Sequence, residues 1–201
     1  MTRSRVASAR LVVPVGEPDH ALGPETALVT LVEYGDYQCP VCGQAYPIVK
    51  ELLARLGQQV RFVFRNFPLA TIHPDAEGAA EAAEAAGAQG RFWAMHDVLF
   101  ENQEALGDEN LVRYASVLGL DESRFSGDLT DHVHAARVRE DFRGGVSSGV
   151  NGTPTFFINE ERHDGPFDLD TLLGAIEHEI AVSTGRDGSD RSSQYHPRRA
   201  R

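Results

Sequence analysis

The most constraining feature of this sequence is one Cys-x-x-Cys pair, Cys39-Pro40-Val41-Cys42, in a chain of 201 residues that holds 2 cysteines in all. A disulfide closing so short a loop removes little entropy from the unfolded chain, so chemistry explains the pair better than stapling does. Its flanks say where it sits. Residues 27–34 (Ala-Leu-Val-Thr-Leu-Val-Glu-Tyr) are a nearly continuous apolar run rich in β-branched side chains, bounded by Pro24 and Gly35. That is the pattern of a strand buried on both faces. After the cysteines, Ala45, Ile48, Val49, Leu52, Leu53 and Leu56 recur at helical spacing, and Gly57 follows as a C-terminal cap. Val60, Phe62 and Phe64 then alternate with Arg61, Val63 and Arg65 as a second strand. Strand, helix and strand in succession make a βαβ unit, with parallel strands and a right-handed crossover. The cysteines therefore fall at a helix N-terminus, and Pro47 is predicted to kink that helix.

A cysteine in the first turn of a helix faces unpaired backbone amides and the positive end of the helix dipole, both of which favour the thiolate that attacks disulfides. Cys39 has that position. Cys42, one turn deeper, is placed to attack Cys39 and release a mixed disulfide. Pro40 suits the first helical position, where no amide donor is lost, and Val41 completes the motif. A zinc half-site is the rival reading, but tetrahedral zinc needs four ligands and there is no second cysteine pair. His132 and His134, two residues apart, would point to different faces of a helix. No metal site and no cofactor are expected.

Downstream the period changes. From Pro74 to about Gly149 it is helical throughout: an Ala-rich segment to Ala86 capped at Gly87, then residues 92–100, then residues 110–118 capped at Gly119, then a longer helix from about Leu129. Strand character returns in Thr155-Phe156-Phe157-Ile158-Asn159, and Leu169, Leu172, Leu173, Ile176 and Ile180 mark a final amphipathic helix. The helical block thus reads as an insertion in an α/β domain. The chain carries 19 Lys and Arg against 30 Asp and Glu, a formal charge of −11. That excess argues against a nucleic-acid partner, which requires clustered cations. No stretch approaches the roughly 20 apolar residues of a membrane helix, so no membrane partner is expected. Residues 1–10 lack the apolar core of a secretory leader, so the chain as written is expected in the cytoplasm.

Taken together, the motifs resemble the DsbA-like branch of the thioredoxin superfamily. The likeness is carried by Glu33-Tyr34-Gly35-Asp36-Tyr37-Gln38 leading into the cysteines, Arg65-Asn66-Phe67-Pro68-Leu69, His73-Pro74-Asp75-Ala76, Gln89-Gly90-Arg91-Phe92-Trp93-Ala94-Met95-His96 and Ser148-Gly149-Val150-Asn151-Gly152-Thr153-Pro154 with the strand after it. The resemblance implies a thioredoxin-like α/β fold with an inserted α-helical domain. Residues 1–18 would be a flexible N-terminal segment, 19–68 and 150–182 the thioredoxin-like domain, 69–149 the helical insertion, and 183–201 a disordered tail.

The resemblance also assigns roles. Pro154 corresponds to the family's cis-proline facing the cysteines, with the backbone of Thr153 open to a substrate segment that pairs like an added strand. Glu33, six residues before Cys39, corresponds to the family's buried acid and would accept the proton of Cys42; the alternative is a solvent-facing strand residue. Phe92, Trp93 and Met95 are expected in the core of the insertion. His73 either lies near the cysteines or only starts a helix. Two departures matter: Val41 supplies no hydrogen-bond donor where relatives often have histidine, and Glu160-Glu161-Arg162-His163-Asp164 predicts a short or frayed edge strand. The expected activity is thiol-disulfide exchange with protein or low-molecular-weight thiol substrates, served by an unidentified redox partner. The alternatives are a DsbA-like isomerase or glutathione-transferase relative acting on a small organic substrate, and a non-catalytic binding module.

Overall fold

The computed structural model describes residues 9–190. At its centre is a mixed sheet in the order β1-β3-β2-β4-β5. β2 (Val29–Gly35) and β3 (Val60–Asn66) run parallel, with Leu31 beside Phe62 and Glu33 beside Phe64. α1 (Pro40–Leu56) connects them as the crossover. On the other side of β2, β4 (Thr155–Ile158) is antiparallel and sets Phe156 beside Glu33. The edge strand β5 (Glu161–Arg162) is two residues long, as its charged composition predicted. β1 (His20–Leu22), antiparallel to β3, was not expected from the sequence. Three residues carry too little periodicity to announce a strand, and this one exists because β3 offers an open edge.

Strand periodicity sorts the core into two layers. Val29 and Leu31 lie on the face covered by α1, in one apolar cluster with Phe62, Phe64 and Phe156. Val32 and Tyr34 lie on the opposite face with Val63, Phe67 and Phe157. Helix α1 buries Cys42, Ala45, Val49, Leu52 and Leu56 along one stripe, runs unbroken across Pro47, and ends at Gly57 with φ of 54°, whose N–H donates to the Leu53 carbonyl. α7 (Leu169–Asp190) packs beside it.

Between β3 and β4 come α2 (Ala76–Gly87), α3 (Phe92–Glu101), α4 (Asp108–Val117), α5 (Glu122–Thr130) and α6 (Ala135–Ser147). α2 is the axis of this block. Its alanines at 79, 80, 82, 83, 85 and 86 are buried, and their small size lets neighbouring helices approach on several sides. Phe92 and Met95 are buried, Trp93 packs against them, and all three belong to the cluster that also holds the α1 face of the sheet. The helix expected from about Leu129 begins instead at Ala135, as α6, and α5 before it was not expected. His132, with φ of 51°, breaks the run between α5 and α6.

Both ends depart from expectation. Residues 1–8 lie outside the described residues, but the rest of the segment expected to be flexible is packed. Leu11 is buried and its N–H donates to the Glu160 carbonyl at 2.8 Å, and the Val12 N–H donates to Ser148 Oγ at 2.9 Å. From Val13 to Asp19 the segment is held by Arg65, a buried cation that needs acceptors. It finds them in the Val13 and Pro14 carbonyls and in Asp19, at 2.8 to 3.0 Å. At the other end, the polar residues from Ser183 continue α7 to Asp190, since extending an existing helix carries no nucleation cost. Residues 191–201 lie outside the described residues.

Candidate active site

β2 ends at Gly35, where any Cβ would collide with the Phe64 ring. The chain then turns through Asp36-Tyr37-Gln38 into α1, with Cys39 at the N-cap in an extended conformation and Pro40 in the first helical turn. Asp36, 1% exposed, organises this turn. Its carboxylate accepts the Gln38 N–H at 2.8 Å and the Leu69 N–H at 2.8 Å, and it lies 2.7 Å from His73 Nδ1. Gln38 and Asp75 exchange two further bonds, at 2.7 and 2.9 Å. From the insertion, Gln103 donates to the Tyr37 and Cys39 carbonyls at 2.8 and 2.9 Å. Gly43 leaves the room Gln103 occupies.

Both cysteines are free thiols, Cys39 5% exposed and Cys42 wholly buried. The Thr153–Pro154 bond is cis, and the Thr153 carbonyl oxygen lies 3.5 Å from Cys39 Sγ. The electrostatics separate the two sulfurs. Cys39 is lowered from 9.0 to about 5, first by the Cys42 S–H, then by Thr153 and the Cys42 and Val41 backbone amides, against desolvation. Cys42 is pushed strongly upward, chiefly by burial, then by its neighbour Cys39 and by Glu33. No histidine between the cysteines is needed for this lowering, because the partner thiol and the helix amides supply donors.

Glu33 is buried, 3% exposed, between Phe64 and Phe156, which removes the solvent-facing reading. Burial first, and the charge of Cys39 second, raise it to about 8. Its Oε1 has no hydrogen-bond partner. Under the active-site turn, the Tyr37 hydroxyl lies 3.1 Å from His96 Nδ1, and burial lowers His96 to about 3, leaving it neutral.

The structure thus brings Cys39, Cys42, Glu33, Thr153 and Pro154 together around the start of α1. Pro40 and Val41 lie on the exposed surface of the same turn. His73 does not meet the sulfurs and holds Asp36 instead. His132 and His134 engage Glu81 and Asp128, away from the cysteines. Sequence reasoning missed Gln103, a loop glutamine with no local signature, and the hub role of Asp36, whose place two residues before an N–H acceptor pattern is the only available hint.

A helix-terminal dithiol facing a cis-proline loop, on a thioredoxin-type sheet interrupted by a helical block, defines a DsbA-like protein of the thioredoxin superfamily. A family model described as "Thioredoxin" matches residues 16–178, and the chain belongs to that family. Among solved structures it is similar to a thioredoxin-like oxidoreductase from Silicibacter pomeroyi, at 28% identity and TM-score 0.72 over 81% of this chain and 92% of that one. It is also similar to BdbD from Bacillus subtilis, at 26% identity and TM-score 0.74 over 87% and 97%. Among curated proteins it is 48% identical over 182 residues to one named Na(+)/H(+) antiporter NhaA 1, from Salinispora arenicola, covering 90% of this chain and 28% of that protein. The chain spans about 28% of the length of the first curated relatives it matches. No helix among the described residues is long and apolar enough to cross a membrane.

Proposed function

We propose that the chain is a thiol-disulfide oxidoreductase acting on protein or low-molecular-weight thiol substrates through Cys39 and Cys42. The observation that carries this reading is the asymmetry of the pair: one sulfur at the helix start against the Thr153 carbonyl, the other beneath it over a buried acid. The Cys39 thiolate attacks a substrate disulfide, forming a Cys39–substrate bond and expelling one substrate thiolate. Glu33 gives up its own proton to the expelled substrate thiolate or to solvent, and the carboxylate then accepts the Cys42 proton as Cys42 attacks Cys39 Sγ. The second substrate sulfur leaves, so the substrate gains two electrons and the protein holds a Cys39–Cys42 disulfide. Thr153 and Pro154 present the backbone along which a substrate segment docks.

An unidentified dithiol or disulfide partner completes the cycle, and the compartment sets its direction. In a reducing compartment the thiol pool keeps the pair reduced; in an oxidising compartment the same pair donates its disulfide. Removing only the second thiol leaves attack intact and blocks release. Cys42→Ser should therefore accumulate mixed disulfides in acid-quenched cells, seen as high-mass bands on non-reducing gels, and Cys39→Ser should not. Equal trapping by the two variants would overturn the assignment.

The curated relatives favour an addition to this reading. Identity of 48% across 90% of the chain, within an antiporter more than three times as long, is expected if the dithiol works beside an ion-transporting membrane protein. A tagged chain isolated from solubilised membranes should bring an antiporter with it. Isolation without one removes the partnership and leaves the exchange chemistry standing.

A further inference from the structure

Behind Glu33, on the α1 face of the sheet, lies a cavity of about 350 Å³ between β2, β3, α1 and α3. Phe62, Trp93 and Phe100 wall it together with Val49 and Leu53. Lys50 and Asp97, paired at 3.2 Å and half-exposed, also line it and stand at its solvent side. Two polar side chains line it from deep in the core. One is Glu33, whose Oε1 is buried without a partner. The other is His96, whose Nδ1 is engaged by Tyr37.

Native cores leave few voids larger than a water molecule, and a buried polar atom without a partner is costly. A space of this size, apolar and aromatic with a single unsatisfied acid, falls in the range of small-ligand sites, about 300–1,000 Å³. At the solvent side Lys50 is already paired with Asp97, and the neutral His96 brings no positive charge to the interior, so nothing there favours an anion. We propose that this cavity binds a small planar aromatic molecule carrying an N–H donor, which lies among Phe62, Trp93 and Phe100 and donates its hydrogen bond to Glu33. The site is separate from the substrate face at Thr153. Its consequence rests on the exchange reading given above: an occupant hydrogen-bonded to Glu33 withdraws the proton acceptor of Cys42, slowing resolution while leaving capture by Cys39 unchanged.

Trp93 is the only tryptophan of the chain, so its emission reports occupancy directly. Benzimidazole, titrated into the full chain carrying Cys39→Ser and Cys42→Ser, should give a saturable change although no thiol chemistry is possible. Naphthalene, which lacks a donor, should bind at least about tenfold more weakly, as expected for one lost hydrogen bond to a buried acid. Glu33→Leu should weaken benzimidazole by a similar factor, and Leu53→Phe, which puts a ring into the cavity, should abolish binding. No saturable change, or equal affinity in all variants, overturns the site. Should Leu53→Phe prove unfolded by circular dichroism, proton-resonance shifts decide the matter: perturbation centred on Trp93 and Phe62 upholds the site, and perturbation elsewhere overturns it. Binding without any slowing of resolution removes the link to Cys42 alone. A wild-type chain that binds benzimidazole but exchanges no disulfides overturns the exchange reading and keeps the site.

Discussion

Replacing Cys42 by alanine should weaken the hold of the site on the Cys39 thiolate by a calculable amount. Cys39 is lowered from 9.0 to about 5, and each pKa unit is roughly 1.4 kcal/mol of preference between protonation states. The buried site therefore favours thiolate by ~5 kcal/mol relative to a free cysteine. Four groups provide that lowering, led by the Cys42 S–H and followed by Thr153 and the Cys42 and Val41 amides, while desolvation works against them. As the largest of four, the Cys42 thiol supplies more than a quarter. Its loss should cost at least ~1.4 kcal/mol, or about tenfold in thiolate population well below the midpoint. Ultraviolet thiolate absorbance against pH, and the pH profile of alkylation by iodoacetamide, both measure it. If Cys39 titrates at the same pH in Cys42→Ala as in a reduced wild type, the partner thiol is not the cause. If the wild type itself titrates near an ordinary cysteine, the site does not activate its sulfur and the argument fails at its root.

Two further outcomes follow from buried acids. Glu33 is raised from 4.5 to about 8, so the folded chain holds a proton the unfolded chain releases; its stability is full below about 4.5 and falls as pH rises through about 8, by up to ~5 kcal/mol. Cys39, with a lowered pKa, contributes the opposite trend, present above 9.0 and lost as pH falls through about 5, so the comparison belongs in a Cys39→Ser background. There, with the Cys39 charge gone and burial alone raising Glu33, denaturant titrations should show a smaller decline between acid and alkaline pH that Glu33→Gln abolishes, and parallel curves would count against a buried acid. Asp36→Ala orphans the half-buried Gln38 and Leu69 N–H groups and frees His73. It should cost about 2–4 kcal/mol of unfolding free energy, with amide exchange at residues 37–39 accelerated; an unchanged midpoint would show that the turn does not depend on Asp36.

Much of this molecule is legible in its sequence because its central unit is local. The apolar run before the cysteines, the helical stripe after them and the alternation from Val60 to Phe64 each span a single element, and hydrophobic periodicity reads single elements well. The same holds for the α2 and α3 segments. What stayed hidden depends on long-range partners. The packed segment from Ala9 to Asp19 is held by long-range partners: Glu160, Arg162 and Ser148 for its first half, and for its second the buried cation Arg65, whose need for acceptors is invisible until β3 is placed in the interior. β1 exists only against the edge of β3. Gln103 reaches the Cys39 carbonyl from 64 residues away, and a glutamine in a polar loop carries no mark of that reach. The break at His132 moved the start of the helix expected from about Leu129 to Ala135, because a left-handed residue other than glycine leaves no reliable trace in composition.

The three titratable groups of the centre are better understood as one charge with three possible seats. Desolvation opposes charge on Cys39, Cys42 and Glu33 alike, and only Cys39 has donors enough to overcome it, so the reduced centre keeps its negative charge there. That charge is itself one of the causes that raise Glu33, and the hydrogen bond and charge of Cys39 are among those that raise Cys42. In the proposed cycle, capture of a substrate turns the Cys39 thiolate into a neutral mixed disulfide. Every contribution that depended on its charge then disappears at once. Glu33 becomes a readier home for a negative charge and hence, once ionised, an available base, while the Cys42 proton loses the anion that held it. Substrate capture thus removes the electrostatic part of the opposition to resolution and leaves the larger part, burial, in place; the order of the two sulfurs follows from which one owns the donors.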